Sequence, residues 1–257
     1  MIRNENSGGR LFRSPGREND MGKLILVRHG HTPLNCPGAD ERLRSWLDVP
    51  LDEMGMKEVA KTAETLGAYP IDVIYCSDLR RARQSGAIVR GRVKAPVVAS
   101  NELRPWNLGA FGGQRVRDIL PFLNLLNQHP DLAAPSGESF YQFYGRYSHR
   151  LTQLLRLADS TDGCVLAITH VRNLLAAATI IEGGDRNKVP VKGGPSTGTI
   201  SVVEKVEGRW KIFREDGGEI VQQFSFQDAA VIVQTPQPSE EFNSPQPQST
   251  STSRYAL

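Results

Sequence analysis

Three short apolar runs, Leu24–Val27, Val73–Cys76 and Cys164–Ile168, constrain the fold more than any other feature of the chain. Each is too short for a buried helix and lacks the alternation of a half-exposed strand, which is how strands covered on both faces of a parallel sheet read. Amphipathic stretches lie between them. Met56, Val59, Ala60, Ala63 and Leu66 recur at helical spacing, and Phe140, Phe143, Tyr144, Tyr147, Leu151, Leu154 and Leu155 do so over a longer span. Ile200–Val206 and Trp210–Phe213, separated by Glu207-Gly208, read as a late hairpin. Alternating strands and helices predict an α/β fold, a three-layer α/β/α sandwich around a mostly parallel central sheet.

The ends are of different composition. Residues 1–21 are polar, with Gly8-Gly9 and Pro15-Gly16, and are expected to form a disordered arm. Residues 222–257 are rich in Pro, Gln, Ser and Thr and are expected to be a disordered tail, which leaves 22–221 as one domain. A formal net charge of +3 gives no argument for a nucleic-acid or membrane partner, and no apolar run approaches the length of a bilayer span. Cys36, Cys76 and Cys164 are odd in number and far apart, without disulfide or metal-ligand spacing. A reducing cytoplasm is the expected compartment; the sequence carries no indication of oligomeric state.

In parallel sheets ligands bind beyond the carboxyl ends of the strands. The residues just after the three runs are Arg28-His29-Gly30-His31-Thr32, Ser77-Asp78-Leu79-Arg80-Arg81 and His170. If the runs are neighbouring strands, two histidines and several arginines converge at one sheet edge. That set suits a phosphoryl group: guanidinium forks meet its oxygens bidentately, and an unprotonated imidazole is a competent nucleophile near neutral pH. Gly30 would let the backbone pass close to the ligand.

At these residues the chain resembles the histidine phosphatase, or phosphoglycerate-mutase-like, superfamily. Leu24–Thr32 is similar to its Arg-His-Gly motif, with His31 where Glu or Gln is usual, and Asn35 matches a phosphate-touching asparagine. Trp46–Leu51 with Gly55, Ser77–Ser85, Pro135–Ser139 and Thr169-His170 follow in the family's order over about residues 22–205. The resemblance implies that His29 attacks phosphorus, that Arg28, Arg81 and Asn35 hold the phosphoryl oxygens, and that His170 stabilises the group in transfer. Thr32 and Arg104 are taken as further substrate contacts, although Arg104 could equally pack. The activity implied is hydrolysis of a phosphomonoester or phosphorylated protein side chain through a phosphohistidine, with no metal and no organic cofactor. A phosphoglycerate mutase and a phosphate-binding pseudoenzyme are the alternatives.

One part of the pattern is missing. The family's general-acid glutamate falls on Pro105 within Leu103-Arg104-Pro105-Trp106, and an aspartate sometimes found after the second histidine is Val171 here. Glu102, His31, Asp78 and Glu138 are the available substitutes. Arg80 and Arg83 read as a solvated helix face, Phe140–Tyr147 as core and Cys36 as an inert small side chain, while His129 and His149 show no partner in the sequence.

Overall fold

The computed structural model describes residues 22–35, 40–188 and 194–214; Cys36, the expected arm and the expected tail lie outside the described residues. In chain order the elements are β1 (Lys23–Arg28), α1 (Glu53–Leu66), β2 (Ile71–Ser77), α2 (Arg80–Val93), β3 (Val97–Ser100), α3 (Val116–Gln128), α4 (Phe140–Asp159), β4 (Cys164–Thr169), α5 (Val171–Ile181), β5 (Ile200–Val206) and β6 (Arg209–Arg214). The sheet runs β3-β2-β4-β1-β5-β6. β1 is parallel to β4, and β2 is parallel to both β4 and β3, while β5 joins the other side of β1 antiparallel and leads into β6.

The pleat divides the apolar runs between two layers. Leu24 and Leu26 of β1 with Val165 and Ala167 of β4 face α4 and α5, whereas Ile25, Val27, Leu166 and Ile168 face α1 and α2. Every side chain of Leu24–Val27 and Cys164–Ile168 is wholly buried, the physical reason these runs are unbroken by a polar residue. The hairpin turn places Glu207 at φ 52° and Gly208 at φ 76°, the left-handed pair that matches the twist of adjoining strands. No helix among the described residues is long and apolar enough to cross a membrane.

The phase of α1 differs from the expectation. Met56 is 45% exposed and Ala60 points to solvent, and the buried face is Gly55, Val59, Thr62, Ala63 and Leu66. The start of the helix sets this: Asp52 caps it by accepting from the Gly55 amide at 2.8 Å, which turns Gly55 against the loop after β1. There a methyl on Gly55 would lie 2.1 Å from the His31 carbonyl oxygen, and one on Gly30 would lie 2.5 Å from the Gly55 carbonyl oxygen. Gly30 therefore serves backbone-to-backbone packing on α1. Gly55→Ala is expected to cost about 1–3 kcal/mol, as overpacking of a tight contact does, and to lower kcat by displacing the loop that carries His29. Thermal melts paired with kinetics check this; an unchanged melting temperature would contradict it.

Candidate active site

β1, β2 and β4 end side by side, and the backbone binds their ends together: the His29 amide donates to the Thr169 carbonyl at 3.0 Å. His29 and His170 are each 2% exposed, and their rings meet edge to face with centroids 5.0 Å apart. The His29 Nδ1 lies 2.7 Å from the Gly30 carbonyl oxygen. A carbonyl can only accept, so Nδ1 carries the proton and Nε2 keeps its lone pair. Neither ring nitrogen of His170 has a partner.

The arginines are gripped at their tips and open at the side. Arg81, 1% exposed, donates Nη1 to the Leu47 carbonyl at 2.7 Å and Nη2 to the Ser45 carbonyl at 2.9 Å, and its buried Nε has no partner. Arg28 donates Nη1 to the Pro195 carbonyl at 2.6 Å, and its Nε is likewise buried and unpartnered. Buried polar atoms are rarely left unpaired unless a ligand meets them. Asn35 accepts with Oδ1 from both the amide (3.1 Å) and the hydroxyl (2.7 Å) of Thr32. Ser85 joins the two halves, accepting from the Gly30 amide and donating to the Arg81 carbonyl.

Two expected substrate contacts have partners within the protein. Thr32 is fully buried and its hydroxyl orients Asn35. Arg104 places Nε and Nη2 on the two Asp78 oxygens at 2.7 and 2.6 Å, with its guanidinium 4.6 Å from the centre of the Trp46 ring. Conversely, Arg44 was not anticipated. Its side chain is only 14% exposed and donates Nη1 to the Leu34 carbonyl at 3.0 Å, beside Asn35. Nothing in Glu41-Arg42-Leu43-Arg44 distinguishes it from a polar loop.

Burial, reinforced by Arg81 and Arg28, holds the His29 imidazole well below its usual 6.5. Burial, with Arg81 and His29, does the same to His170. Arg28 and Arg81 are pushed down by burial to about 10 and about 9, still charged at neutral pH. His29 is thus unprotonated near neutral pH, and kcat/KM, corrected for substrate ionisation, is expected to show no acid limb near pH 6.5. Stability has the opposite sign: below 6.5 the unfolded chain takes up protons that the folded one refuses. Each histidine should then cost up to about 1.4 kcal/mol per pH unit. A limb at 6.5 in the rate profile would contradict the neutral pair.

Each of the four substitute donors has a charged neighbour within the protein. The Arg104 fork holds the Asp78 carboxyl below its ordinary range. Glu138 accepts with Oε1 from the Asn107 amide at 2.9 Å and from Arg146 at 2.6 Å. The Glu102 carboxylate turns to Arg150 on α4 at 3.8 Å, and His31 turns Nδ1 to Asp52 at 2.6 Å. Pro105 itself is buried, its carbonyl accepting from Trp46 at 2.8 Å and Arg146 at 3.3 Å. Arg146 also reaches the carbonyls of Asn101, Glu102 and Arg104, so one guanidinium fixes the whole segment.

The family model of the histidine phosphatase superfamily (branch 1) matches residues 24–215. The chain is 33% identical over 181 residues to a glucosyl-3-phosphoglycerate phosphatase of Mycolicibacterium vanbaalenii, covering 67% of this chain and 79% of that protein. It is 24% identical to the uncharacterized phosphatase PhoE of Bacillus subtilis over 75% of this chain and 93% of the relative. Among solved structures, Bacillus stearothermophilus YhfR superposes with a TM-score of 0.65 at 25% identity, over 79% of this chain and 98% of that one. Two facing histidines at parallel strand ends, arginines open toward them and a family match across three quarters of the sequence lead to one assignment: the chain belongs to branch 1 of the histidine phosphatase superfamily.

Proposed function

We propose that the protein is a phosphatase that carries the phosphoryl group on His29. The observation that supports this most is the His29 ring, buried and neutral, with Nδ1 tied to the Gly30 carbonyl and Nε2 free beside an unpartnered His170. The Nε atoms of Arg28 and Arg81 with Nδ2 of Asn35 hold the phosphoryl oxygens. The Nε2 lone pair forms the P–N bond as the P–O bond breaks, and the leaving group departs with that electron pair. Water then attacks phosphorus, the P–N bond returns its electrons to Nε2, and the water's proton passes to phosphate or solvent. His170 donates to the oxygens as charge gathers on them. No step needs a metal or an organic cofactor.

Hydrolysis is favoured over mutase chemistry by the segment 101–106. A mutase returns the phosphoryl group to an alcohol and needs a proton moved in both directions, yet Asp78 and Glu138 are hydrogen-bonded to arginines and Glu102 turns to Arg150 at 3.8 Å. Relatives spanning most of the chain also bear phosphatase names.

The test is phosphate release from aryl phosphates, sugar phosphates, phosphoglycerates and phosphohistidine peptides, with and without chelator. A positioned acid is worth about 10² to 10⁴ in rate, so kcat/KM is expected to fall steeply as leaving-group basicity rises. Pro105→Glu should improve alkyl phosphates more than aryl ones. A flat dependence would reveal a working proton donor, and no release from any substrate would favour a phosphate-binding pseudoenzyme.

A further inference from the structure

The pocket is more positive than one phosphoryl group requires. Arg28, Arg44 and Arg81 surround two neutral histidines, and among the described residues the only carboxylate in ion-pair contact with the three is Glu41, on Arg44 at 3.3 Å and 43% exposed. A phosphomonoester dianion balances two of these charges. The third guanidinium is placed by geometry: Nη1 holds the carbonyls of Leu34, adjacent to Asn35, and of Arg42, Nη2 holds the half-exposed Glu41 carboxylate that a second anionic group would displace, and the next residue, Ser45, gives its carbonyl to Arg81 Nη2. Its charge also reaches His29, His170, Arg28 and Arg81, each of which it makes less basic. Arg44 is therefore tied through the backbone to the segment that carries Asn35 and to the one that holds Arg81.

The missing acid and the additional cation are complementary. A leaving alkoxide must be protonated as it departs; a leaving phosphate need not be, because it is a weak base at neutral pH, but it leaves with extra negative charge. A guanidinium stabilises that charge without transferring a proton, as arginines do elsewhere in phosphoryl transfer. We propose that Arg44 grips a second anionic group on the leaving side, and that the substrate class is a phosphoanhydride. This rests on the phosphatase reading and narrows it. His29 Nε2 bonds to the terminal phosphorus as the bond from that phosphorus to the bridging oxygen breaks. The electron pair leaves on the bridging oxygen of the departing phosphate, which Arg44 holds, and water then releases the phosphoryl group from His29.

The experiment compares inorganic pyrophosphate with 4-nitrophenyl phosphate, both in chelator, on the full chain and on Arg44→Met and Arg44→Lys. Both leaving groups depart without an acid; only the first is a bound anion. Arg44→Met is expected to lose about 10- to 100-fold more kcat/KM on pyrophosphate than on the aryl ester, the range for a charge-assisted hydrogen bond, and Arg44→Lys to recover part of it. Equal losses on the two substrates overturn the proposal. Calorimetry on the unmutated protein needs neither turnover nor a folded variant. Methylenediphosphonate should bind at least about tenfold more tightly than methylphosphonate, and equal affinities would overturn the assignment. Absent turnover with the diphosphonate preference intact would count against the phosphatase reading and for the Arg44 site. Turnover of the aryl ester without that preference would do the reverse.

Discussion

His29→Ala is expected to leave a folded protein whose turnover is reduced at least about 10⁴-fold, the scale on which loss of a nucleophile acts. The fold should survive because the imidazole contributes one hydrogen bond, to the Gly30 carbonyl, worth about 1 kcal/mol. The neighbouring backbone is held independently: the His29 amide stays on Thr169 and the Gly30 amide on Ser85. Brief incubation of the parent enzyme with substrate, quenched in alkali and read by mass spectrometry, should find phosphate on His29. Phosphate on a serine or cysteine would end this mechanism, and so would a His29→Ala variant that keeps its activity.

Arg81→Lys should be nearly as severe, at about 10² to 10³ in kcat/KM, the cost of removing a positioned donor from charge developing in transfer. One guanidinium here does two jobs. Its Nη atoms satisfy the carbonyls of Ser45 and Leu47, and its buried Nε is left without a partner for the phosphoryl group to meet. An ammonium carries its three donors on one nitrogen and cannot reach groups as far apart as the three nitrogens of a guanidinium do. A lysine that reaches for the phosphoryl group deserts two carbonyls, each costing about 1–3 kcal/mol if left buried and unpaired, so the melting temperature should fall with the rate. Steady-state kinetics and calorimetry read both effects, and near-normal kinetics would mean that the phosphoryl site lies elsewhere.

The sheet was legible in the sequence wherever a strand is buried on both faces, because burial excludes polar residues and leaves an unbroken run. β3 was not, since it pairs only with β2 and two of its four residues are exposed. α3 was hidden by Pro121, a residue that argues against a helix interior yet sits here on the exposed side. The same division holds at the pocket. His29, His170, Arg28 and Arg81 follow strand ends and could be placed together from topology. Arg44 sits on a connection with no periodicity, and the partners of Thr32, Arg104 and the acidic residues depend on side-chain directions that spacing does not carry.

β1 is the first strand of the sheet and lies between β4 and β5. Its residue Lys23 is paired with Cys164, 141 positions later. At about 5–20 residues per second, a ribosome needs on the order of 7–30 s to supply that partner, and the four wholly buried side chains of Leu24–Val27 have no neighbouring strand meanwhile. His29 is thus among the earliest residues of the candidate site to be made and among the last to be set, because its amide awaits Thr169 and Arg28 awaits the carbonyl of Pro195. A nascent chain that stalls before β4 presents an adhesive apolar strand and no pocket, so cellular yield of this enzyme should depend on chaperone holding of its first half.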